Sequence, residues 1–568
     1  MPPTRTVARH AGLELALPTL LVLGLLLPFL GRALNIDDPI YVWIAQQIAE
    51  HPLDPYGFSV NWRGTPRPLH EFINNPPLAS YFLALAGSAL GWTEKALHAA
   101  FLLPALVAVW TTGILARRFG GGAATGALLL GLAPGFFVSS TTLMADVPML
   151  ALWLVALACW DRGLRSARAG ALFAGAVVAG LCPLAKFPGL ALLPLLAAHA
   201  ILLRVPWRQW APWMLVPLAI FGAYLVYTDS LYGHALLLDP VAYADSYRPG
   251  NLQEVLGRLF CALAFTGGSA ASLLAVAPLL LDRRGARRFG ILALSVALVL
   301  TLAPGTVAES LPSATALSPS LVIQLALWST VGAGVLVLAV SDARETRSPE
   351  SIVLCLWLFG IFGFAALLNW TVSVRGVLLL LPAAAILAAR RIRRRESALR
   401  HGRAWLAAGC AAAAVFSFVV ARADAQLAAS ARTAAETLTR DYADTARGTW
   451  FQGHWGFQYY AQQFGATPLE RGEILPAGAI VIVPQNNSYL WPIDAPILAM
   501  RSFQGPAWCS TMNAATGAGF YASTWGPLPF TCGAVSPETY AIYASVGARS
   551  AATSPAPTKT KARALVRK

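Results

Sequence analysis

Long apolar runs separated by short charged segments dominate the chain from Leu13 to Ala421. A run of roughly eighteen apolar residues or more is long enough to cross a hydrocarbon core of about 30 Å as a helix. The pattern therefore predicts a polytopic α-helical membrane protein of about thirteen spans by this length criterion. The predicted spans are residues 13–34, 97–116, 123–140, 147–160, 169–185, 187–203, 211–231, 256–281, 289–304, 321–340, 351–369, 374–389 and 404–421.

The stretch from Pro77 to Gly91 is apolar as well, but it is interpreted as non-spanning. A helix of this length rises only about 22 Å, which is too short for the membrane. The arginines support this interpretation, because cytoplasmic loops hold an excess of Lys and Arg. With the N-terminus in the cytoplasm, 22 basic residues fall on the cytoplasmic side, including the seven arginines of 390–403, and eight fall opposite. The odd number of spans then places residues 422–568 on the periplasmic side of a bacterial inner membrane.

Composition excludes a water-soluble enzyme. The chain is 57% apolar and 12% charged, whereas soluble domains carry about 25% charged residues. The net charge of +15 is explained by the arginines that orient the spans, and the run at 390–403 is typical of a segment that faces anionic membrane lipid. We therefore expect membrane lipids, and no nucleic acid, as partners.

Three regions are predicted. Residues 1–421 form the transmembrane domain, with a retained N-terminal anchor and a large first outer loop at 35–76. Residues 422–549 form a small periplasmic α/β domain, with a helix at Arg422–Arg447, a second helix ended by Gly465 and a strand at Ala479–Pro484. The tail at 550–568, rich in Ala, Thr, Pro, Lys and Arg, is predicted to be disordered.

Two of the seven cysteines, Cys509 and Cys532, lie in the predicted periplasmic domain. In an oxidising compartment a disulfide between them and a pair of free thiols are equally open alternatives. Zinc binding is disfavoured, because no histidine partners lie nearby.

The first outer loop carries an acidic pair, Asp37 and Asp38. Asp38 precedes Pro39, which suits a helix N-cap followed by Pro at the first helical position. Asp37 has no such structural role, and a carboxylate at the membrane surface is suited to accept a proton from an incoming nucleophile. Solvated loop acids are the competing interpretation. Tyr41 could stack on a sugar, or belong to an interfacial aromatic belt.

Three further polar residues stand at outer span edges. Asp146 could be functional or could interact with the N-terminal dipole of its helix. Lys186 lies in a tight hairpin, where a cation of low exposure requires an anionic partner or ligand. Arg375 precedes a span on the side that is poor in cations; a snorkelling side chain is the competing interpretation.

These residues lie in five segments that follow one another in a characteristic order. The last of these segments is a span near the end of the transmembrane domain that is preceded by an arginine. The segments are NIDDPIYVWIAQQIA, NNPPLASYFLAL, MADVPMLALWLVALA, LAKFPGLALLPLL and RGVLLLLPAAAILAAR. In this order the chain resembles the GT-C class of integral-membrane glycosyltransferases, and within it the bacterial aminoarabinose transferases and the protein O-mannosyltransferases. The resemblance covers residues 10–205 and returns at 351–390.

The resemblance implies a GT-C fold and a role for each matching position. The first member of the family's acidic pair is its catalytic base, which matches Asp37, with Asp38 in second place. The acid of the next outer loop matches Asp146, the lysine of a T-K-G-P hairpin matches Lys186, and the arginine before a late span matches Arg375.

One departure concerns the donor phosphate. The aminoarabinose branch has His-Lys before its PPL motif, where this chain has Asn74 and Asn75. Asn75 is kept as a candidate substrate contact, but the missing lysine charge has to come from other cations. The candidates are Lys186, Arg375, Arg63 and Arg67.

The sequence thus predicts an inverting glycosyltransferase that moves a sugar from a polyprenyl-phosphate donor to an acceptor lipid, glycan or protein at the periplasmic face. A secondary transporter is the alternative; it predicts inverted repeats and ionisable residues near mid-membrane, whereas the ionisable residues here lie at the outer edges. A scaffold protein would leave Asp37, Asp146, Lys186 and Arg375 without a joint role. No cofactor is required by the pattern, and a divalent cation held by acids such as Asp37 and Asp146 stays open.

Overall fold

The structure is a computed structural model that describes residues 5–72, 75–303, 317–395, 401–443 and 448–547. For residues 5–11 and 13 it describes the backbone alone. Asn74 and the predicted tail at 550–568 lie outside the described residues.

Seven of the described helices are long and apolar enough to cross a membrane. A count of thirteen spans, and the side of the membrane on which each end lies, stay predictions. The seven are Glu94–Arg118, Asp146–Ser166, Trp207–Tyr232, Arg283–Leu302, Pro319–Thr346, Pro349–Leu368 and Gly402–Asp441.

The other helices are shorter, and several follow predicted spans that the structure interrupts. The predicted span 256–281 becomes three helices, and the last has Pro278 near its start. The predicted span 123–140 is interrupted before Pro134, since the residue before a proline is disfavoured in helical conformation. The shorter helices are Arg5–Leu26, Asp38–Glu50, Leu78–Leu90, Ala123–Gly131, Pro134–Ser139, Ala169–Ala185, Leu192–Leu202, Leu238–Ser246, Leu252–Ser269, Ser272–Ala275, Ala277–Leu280, Val374–Val377, Leu381–Arg395 and Trp455–Gln463.

Two membrane helices pack closely through glycine. A Cβ added at Gly267 would lie 1.9 Å from the carbonyl oxygen of Trp328, and one added at Gly332 would lie 2.0 Å from that of Leu263. Only glycine permits this approach of two backbones, as is common between membrane helices. The contact joins Leu252–Ser269 to Pro319–Thr346.

The apolar stretch interpreted as non-spanning forms the helix Leu78–Leu90, of 13 residues. It rises about 20 Å, which leaves it shorter than the hydrocarbon core. Its neighbour is the helix Asp38–Glu50, which we call the loop helix. Eight side chains of the loop helix are buried, so this helix is packed within the protein rather than lying free on the membrane surface.

The predicted boundary at residue 421 is not a break in the backbone. One helix of 40 residues, Gly402–Asp441, runs through it. At about 1.5 Å per residue it is some 60 Å long, about twice the hydrocarbon thickness. This long helix therefore carries the chain from the membrane part into the C-terminal domain.

The C-terminal domain contains a small sheet region, while its predicted bounds of 422–549 stay a prediction. Its five-stranded sheet has the order β4-β3-β5-β11-β6, in which β3 is parallel to β4 and β5 while β11 is antiparallel to β5 and β6. The strand predicted at 479–484 is β5, buried at every position, and the helix predicted to end at Gly465 is Trp455–Gln463. The sheet strands are β3 Thr449–Phe451, β4 Thr467–Pro468, β5 Ile480–Pro484, β6 Ile497–Phe503 and β11 Glu538–Ala544.

Three two-stranded pairs complete the described strands. A hairpin in the first outer loop pairs β1 with β2. Cys509 and Cys532 face each other in register on β7 and β10 as free thiols, so the disulfide between them stays a prediction. The strands are β1 Ser59–Asn61, β2 Pro66–Pro68, β7 Cys509–Ser510, β8 Met512–Asn513, β9 Ala518–Gly519 and β10 Thr531–Cys532.

The C-terminal domain is attached to the membrane part by backbone hydrogen bonds. The amide of Val374 donates to the carbonyl of Phe520 at 2.9 Å, and the amide of Ser523 donates to the carbonyl of Val372 at 2.8 Å. These bonds fix the segment that carries Arg375, one residue beyond Val374.

Candidate active site

The loop helix begins in a strained turn. Ile36 has a φ of 52°, a left-handed conformation that is rare for a β-branched residue and costs roughly 1–3 kcal/mol. Asp37 follows as the N-cap residue, and its side chain makes no capping hydrogen bond. Asp38 is the first helical residue rather than the N-cap, so the predicted capping role of Asp38 is wrong. The strained turn leaves the Asp37 carboxylate available for other partners.

Asp38 lies in a cluster closed to solvent. Its carboxylate accepts hydrogen bonds from the Arg32 guanidinium at 2.8 Å and from the backbone amides of Asn35 and Leu143. Arg32 in turn bonds Asp424 of the long helix at 2.8 Å, and all three charged side chains are fully buried. Both carboxylate oxygens of Asp38 accept hydrogen bonds and its side chain has no exposed surface, so we propose a structural role for Asp38, and its catalytic role stays a prediction. We call Arg32, Asp38 and Asp424 the closed cluster.

Asp37 faces the opposite way and pairs with Arg375. Nη1 of Arg375 donates to Oδ2 of Asp37 at 2.6 Å. The Asp37 side chain is 29% exposed and that of Arg375 is 15% exposed. Arg375 also approaches the Tyr521 carbonyl of the C-terminal domain at 3.5 Å. This pair is therefore anchored on both parts of the protein but still reaches solvent.

Asp146 and Lys186 form a second ion pair beside the first. Nζ of Lys186 donates to Oδ1 of Asp146 at 2.7 Å, and Oδ2 of Asp146 is buried without a partner. Burial lowers the pKa of Lys186, an effect that the Asp146 carboxylate opposes. Asp146 is the first residue of its helix, and Lys186 lies between two helices. Both residues were selected in the sequence as polar positions at span edges, and in the structure their side chains are in contact.

The two pairs act on each other electrostatically. Arg375 and Asp37 both influence the ionisation of Lys186, in opposite directions. Tyr41 of the loop helix belongs to the same group, because Asp146 and Asp37 add to the burial that raises the pKa of its phenol. Its hydroxyl is buried with no hydrogen-bond partner. We call Asp37, Tyr41, Asp146, Lys186 and Arg375 the open cluster.

The remaining sequence candidates lie elsewhere. Arg63 and Arg67 are exposed on or beside the β1–β2 hairpin, and the Arg63 guanidinium lies 4.9 Å from the ring centre of Tyr489. Asn75 accepts a hydrogen bond from Tyr56 through its backbone carbonyl at 2.9 Å. In the described parts of the chain, none of these three residues contacts the open cluster.

A divalent cation finds no ready-made ligand set. Across the described residues, no three His, Cys, Asp or Glu side chains come together as a metal-binding group. Asp37 and Asp146, the acids that the sequence offered for such an ion, are each occupied by a cation of the chain.

Sequence reasoning missed the closed cluster. Arg32 was counted only as an outer-side cation, and Asp424 was not singled out. The Tyr521 hydroxyl and the Thr511 hydroxyl both donate to Asp424 as well. The available signal was the position of Arg32 near the end of the predicted span 13–34, where a charged side chain interrupts an apolar run.

Comparison with known sequence families gives a match over part of the chain. Residues 74–228 match the sequence family described as dolichyl-phosphate-mannose-protein mannosyltransferase. The resemblance to the GT-C glycosyltransferase superfamily is thereby confirmed. Comparison with curated proteins gives no match.

Three solved structures are similar to the chain at low identity. ArnT from Cupriavidus metallidurans bound to undecaprenyl phosphate is 16% identical over 93% of this chain and 97% of its own, with a TM-score of 0.43. The oligosaccharyltransferase AglB from Archaeoglobus fulgidus, in complex with an inhibitory peptide and a dolichol-phosphate, is 14% identical over 82% of this chain and 65% of its own, with a TM-score of 0.49. The S. cerevisiae protein O-mannosyltransferase Pmt1-Pmt2 complex bound to the sugar donor is 14% identical over 40% of this chain and 34% of its own, with a TM-score of 0.32.

Proposed function

We propose that this protein is an inverting glycosyltransferase that moves a sugar from a polyprenyl-phosphate donor to an acceptor lipid, glycan or protein. The observation that carries the proposal is the open cluster, in which the partly exposed Asp37 carboxylate lies 2.6 Å from the Arg375 guanidinium and beside a second buried cation, Lys186. A transfer from a phosphate-linked sugar needs a base for the acceptor and cations for the leaving phosphate. The open cluster supplies both within one site, and the family match at 74–228 supports the same reaction class.

The reaction follows from the charges. An acceptor hydroxyl or amine attacks the anomeric carbon of the donor, and Asp37 takes the proton that the nucleophile loses. The bond between the anomeric carbon and the phosphate oxygen breaks, and the phosphate leaves with the bonding electron pair. Arg375 and Lys186 stabilise the negative charge that develops on that oxygen. A single displacement of this kind inverts the anomeric centre, as in other inverting sugar chemistry.

Arg375 also orients Asp37, because its guanidinium donates a hydrogen bond to the Asp37 carboxylate at 2.6 Å. The buried and unpaired Tyr41 hydroxyl and Asp146 Oδ2 offer polar contacts to a bound donor or acceptor.

The proposed location is the periplasmic face of a bacterial inner membrane, with the N-terminus in the cytoplasm. The distribution of arginines supports it, because five arginines of the run at 390–403 lie at the end of the helix Leu381–Arg395, whereas Arg375 of the open cluster precedes the start of that helix. The donor's polyprenyl chain would then remain in the bilayer while its sugar reaches the site.

The test is a transfer assay with purified protein in lipid nanodiscs. Radiolabelled polyprenyl-phosphate sugars are supplied with lipid, glycan and protein acceptors, and the anomeric configuration of the product is read by NMR. We expect transfer with inversion in the wild type and none in Asp37→Asn. Transport of free sugar in proteoliposomes without any transfer would instead assign the chain to the transporters, and normal transfer by a folded Asp37→Asn variant would remove Asp37 as the base.

A further inference from the structure

A second site lies outside the open cluster, where the first outer loop meets the C-terminal domain. A shallow cleft lies between the β1–β2 hairpin and the sheet. We call it the outer cleft, and its principal lining residues are Asn61, Trp62, Gln452, Tyr489 and Trp491. The open cluster contributes none of its residues to this lining.

Two hydrogen-bond donors in the outer cleft have no acceptor. Gln452 is 1% exposed, and its Oε1 accepts the backbone N–H of Trp491 at 3.0 Å. Because Oε1 makes that bond, the other end of the Gln452 amide is its NH₂ group. This NH₂ group and the indole N–H of Trp491 are both buried without a hydrogen-bond partner. A buried donor left unpaired costs roughly 1–3 kcal/mol. Both donors are therefore poised for oxygen atoms of a ligand.

Aromatic rings form the walls of the same cleft. Trp62 and Trp491 line it together with Tyr489, which has 39% of its surface exposed. Tyr489 also has a φ of 57°, a conformation that costs a bulky residue roughly 1–3 kcal/mol. Strain of this kind concentrates at ligand sites. Aromatic walls with a few aimed polar groups are the usual make-up of a small-molecule site.

Two guanidinium groups border the rings. Arg63 lies 4.9 Å from the ring centre of Tyr489, and Arg471 lies 5.0 Å from that of Trp491. Neither arginine forms an ion pair with any acid that the structure describes. Glu473, two residues beyond Arg471, bonds the indole of Trp450 and the amide of Glu470 instead. The border of the cleft therefore favours negative charge.

We propose that the outer cleft binds an acidic saccharide, that is, a sugar chain that bears carboxylate or phosphate groups. The ring hydroxyl oxygens accept from Gln452 and Trp491, the apolar sugar faces lie against the aromatic walls, and the acidic groups meet Arg63 and Arg471. The proposal concerns binding alone and does not depend on the transferase activity of the open cluster.

The experiment measures binding of tetragalacturonate to the full-length protein by isothermal titration calorimetry. The protein is kept in a non-glycosidic detergent, because maltoside headgroups are themselves saccharides and would compete. Maltotetraose serves as the neutral probe of the same length. We expect saturable binding of tetragalacturonate, and binding of maltotetraose at least tenfold weaker.

Three variants locate the site. Gln452→Leu removes the free donor, Trp491→Phe removes the indole N–H but keeps the backbone bond to Gln452, and Arg63→Gln removes one cation. Each is expected to weaken tetragalacturonate binding about tenfold, since one hydrogen bond or charge contact contributes roughly 1–1.5 kcal/mol. Gln462→Leu and Arg440→Gln make the same changes at exposed positions of the same part of the chain and are expected to bind as the wild type does.

The proposal is overturned by any of three results. These are no saturable binding of tetragalacturonate to the wild type, equal affinity for maltotetraose, and variants of the cleft that bind like their surface controls. Since Asp37→Asn leaves the outer cleft intact, it is expected to bind tetragalacturonate normally even though it transfers no sugar. If Asp37→Asn lost tetragalacturonate binding as well as sugar transfer, the saccharide would bind at the open cluster and the proposal would also be wrong.

Discussion

Asp37 and Asp38 are neighbours in the chain but belong to two regions of opposite character. In the closed cluster, the side chains of Arg32, Asp38 and Asp424 have no exposed surface. In the open cluster, Asp37 and Arg375 keep 29% and 15% of their side-chain surface. One helix start thus directs one acid into the protein and the other toward solvent.

The two regions also differ in how completely their polar atoms are paired. Asp424 accepts from Arg32, Thr511 and Tyr521, so the closed cluster joins the first loop, the long helix and the C-terminal domain. The open cluster leaves Asp146 Oδ2 and the Tyr41 hydroxyl without partners. Buried polar groups are paired in the large majority of cases. The contrast is that Asp424 of the closed cluster accepts from three side chains, whereas the open cluster keeps hydrogen-bonding capacity that no described residue uses.

The largest expected effect is the loss of transfer in Asp37→Asn. The amide keeps the shape of the carboxylate but cannot take the acceptor's proton, and we expect the transfer rate to fall by about 10⁴-fold, the upper end for a general base. Initial rates with saturating donor measure the effect. The melting temperature is expected to stay within about 2 °C, because the Asp37–Arg375 pair is partly exposed and contributes little to stability.

Asp38→Asn is the matched change on the closed side, and its expected effect is on stability. It removes one of two carboxylates from a fully buried arginine, which costs about 3 kcal/mol. Thermal unfolding at a fixed scan rate, followed by intrinsic fluorescence, measures the fall in melting temperature. Asp441→Asn removes an acid from an exposed ion pair with Arg501 and serves as the control, with an expected loss below about 1 kcal/mol. If Asp38→Asn were as stable as the wild type but transferred no sugar, Asp38 would have the functional role that we propose for Asp37.

The local features of both regions could be predicted from sequence, and the long-range ones could not. Apolar length predicted the helices, and a continuous apolar run predicted β5. Charged residues at span edges identified Asp37, Asp146, Lys186 and Arg375 because each departs from its local context. The bond between Arg32 and Asp424 joins residues 392 positions apart, and no pattern near either residue names the other.

The missed interruptions have a similar cause. Hydropathy measures apolar length but does not register the end of a helix, so residues 256–281 read as one span. Pro278 was a visible signal for one break, since proline near the first position of a helix favours a new start. The close approach at Gly267 and Gly332 depends on packing between two helices and could not be read from either one.

Lys186→Met tests the cation of the open cluster that has no contact with Asp37. Loss of one cation beside the leaving phosphate is expected to lower the transfer rate about 10²-fold, or roughly 2.7 kcal/mol. The control is Lys95→Met, at an exposed lysine of another helix, with no expected change in rate. The single variant leaves Asp146 buried and unpaired, which can itself weaken the fold.

The double variant Lys186→Met/Asp146→Asn separates the two effects of this change. It removes both charges of the buried pair, so we expect its melting temperature to recover toward the wild type while the rate stays low. Recovery of the rate together with stability would show that Lys186 acts only through folding, and the open cluster would then lose one of its two phosphate cations.

The last expected effect concerns Glu538 on β11, a buried acid that forms no ion pair with any cation in the described parts of the chain. It is 7% exposed, and burial raises the pKa of its carboxyl to about 7, against the opposing hydrogen bond from Asn486. Between the unfolded pKa of 4.5 and about 7, the folded state binds more protons than the unfolded state, so stability falls as pH rises through this window. At about 1.36 kcal/mol per pKa unit, a rise from 4.5 to about 7 corresponds to a loss on the order of 3 kcal/mol.

Glu538→Gln replaces this acid with a permanently neutral side chain of the same shape. We therefore expect the variant to match the wild type near pH 4.5, to exceed its stability by about 3 kcal/mol at pH 8, and to show a flatter profile of melting temperature against pH. Glu470→Gln, at an exposed acid of the same domain, is expected to leave the profile unchanged. If the slope of melting temperature against pH were the same in Glu538→Gln as in the wild type, ionisation of Glu538 would cost no stability. A buried acid in the C-terminal domain would then not need a cation, in contrast to the acids of the closed cluster.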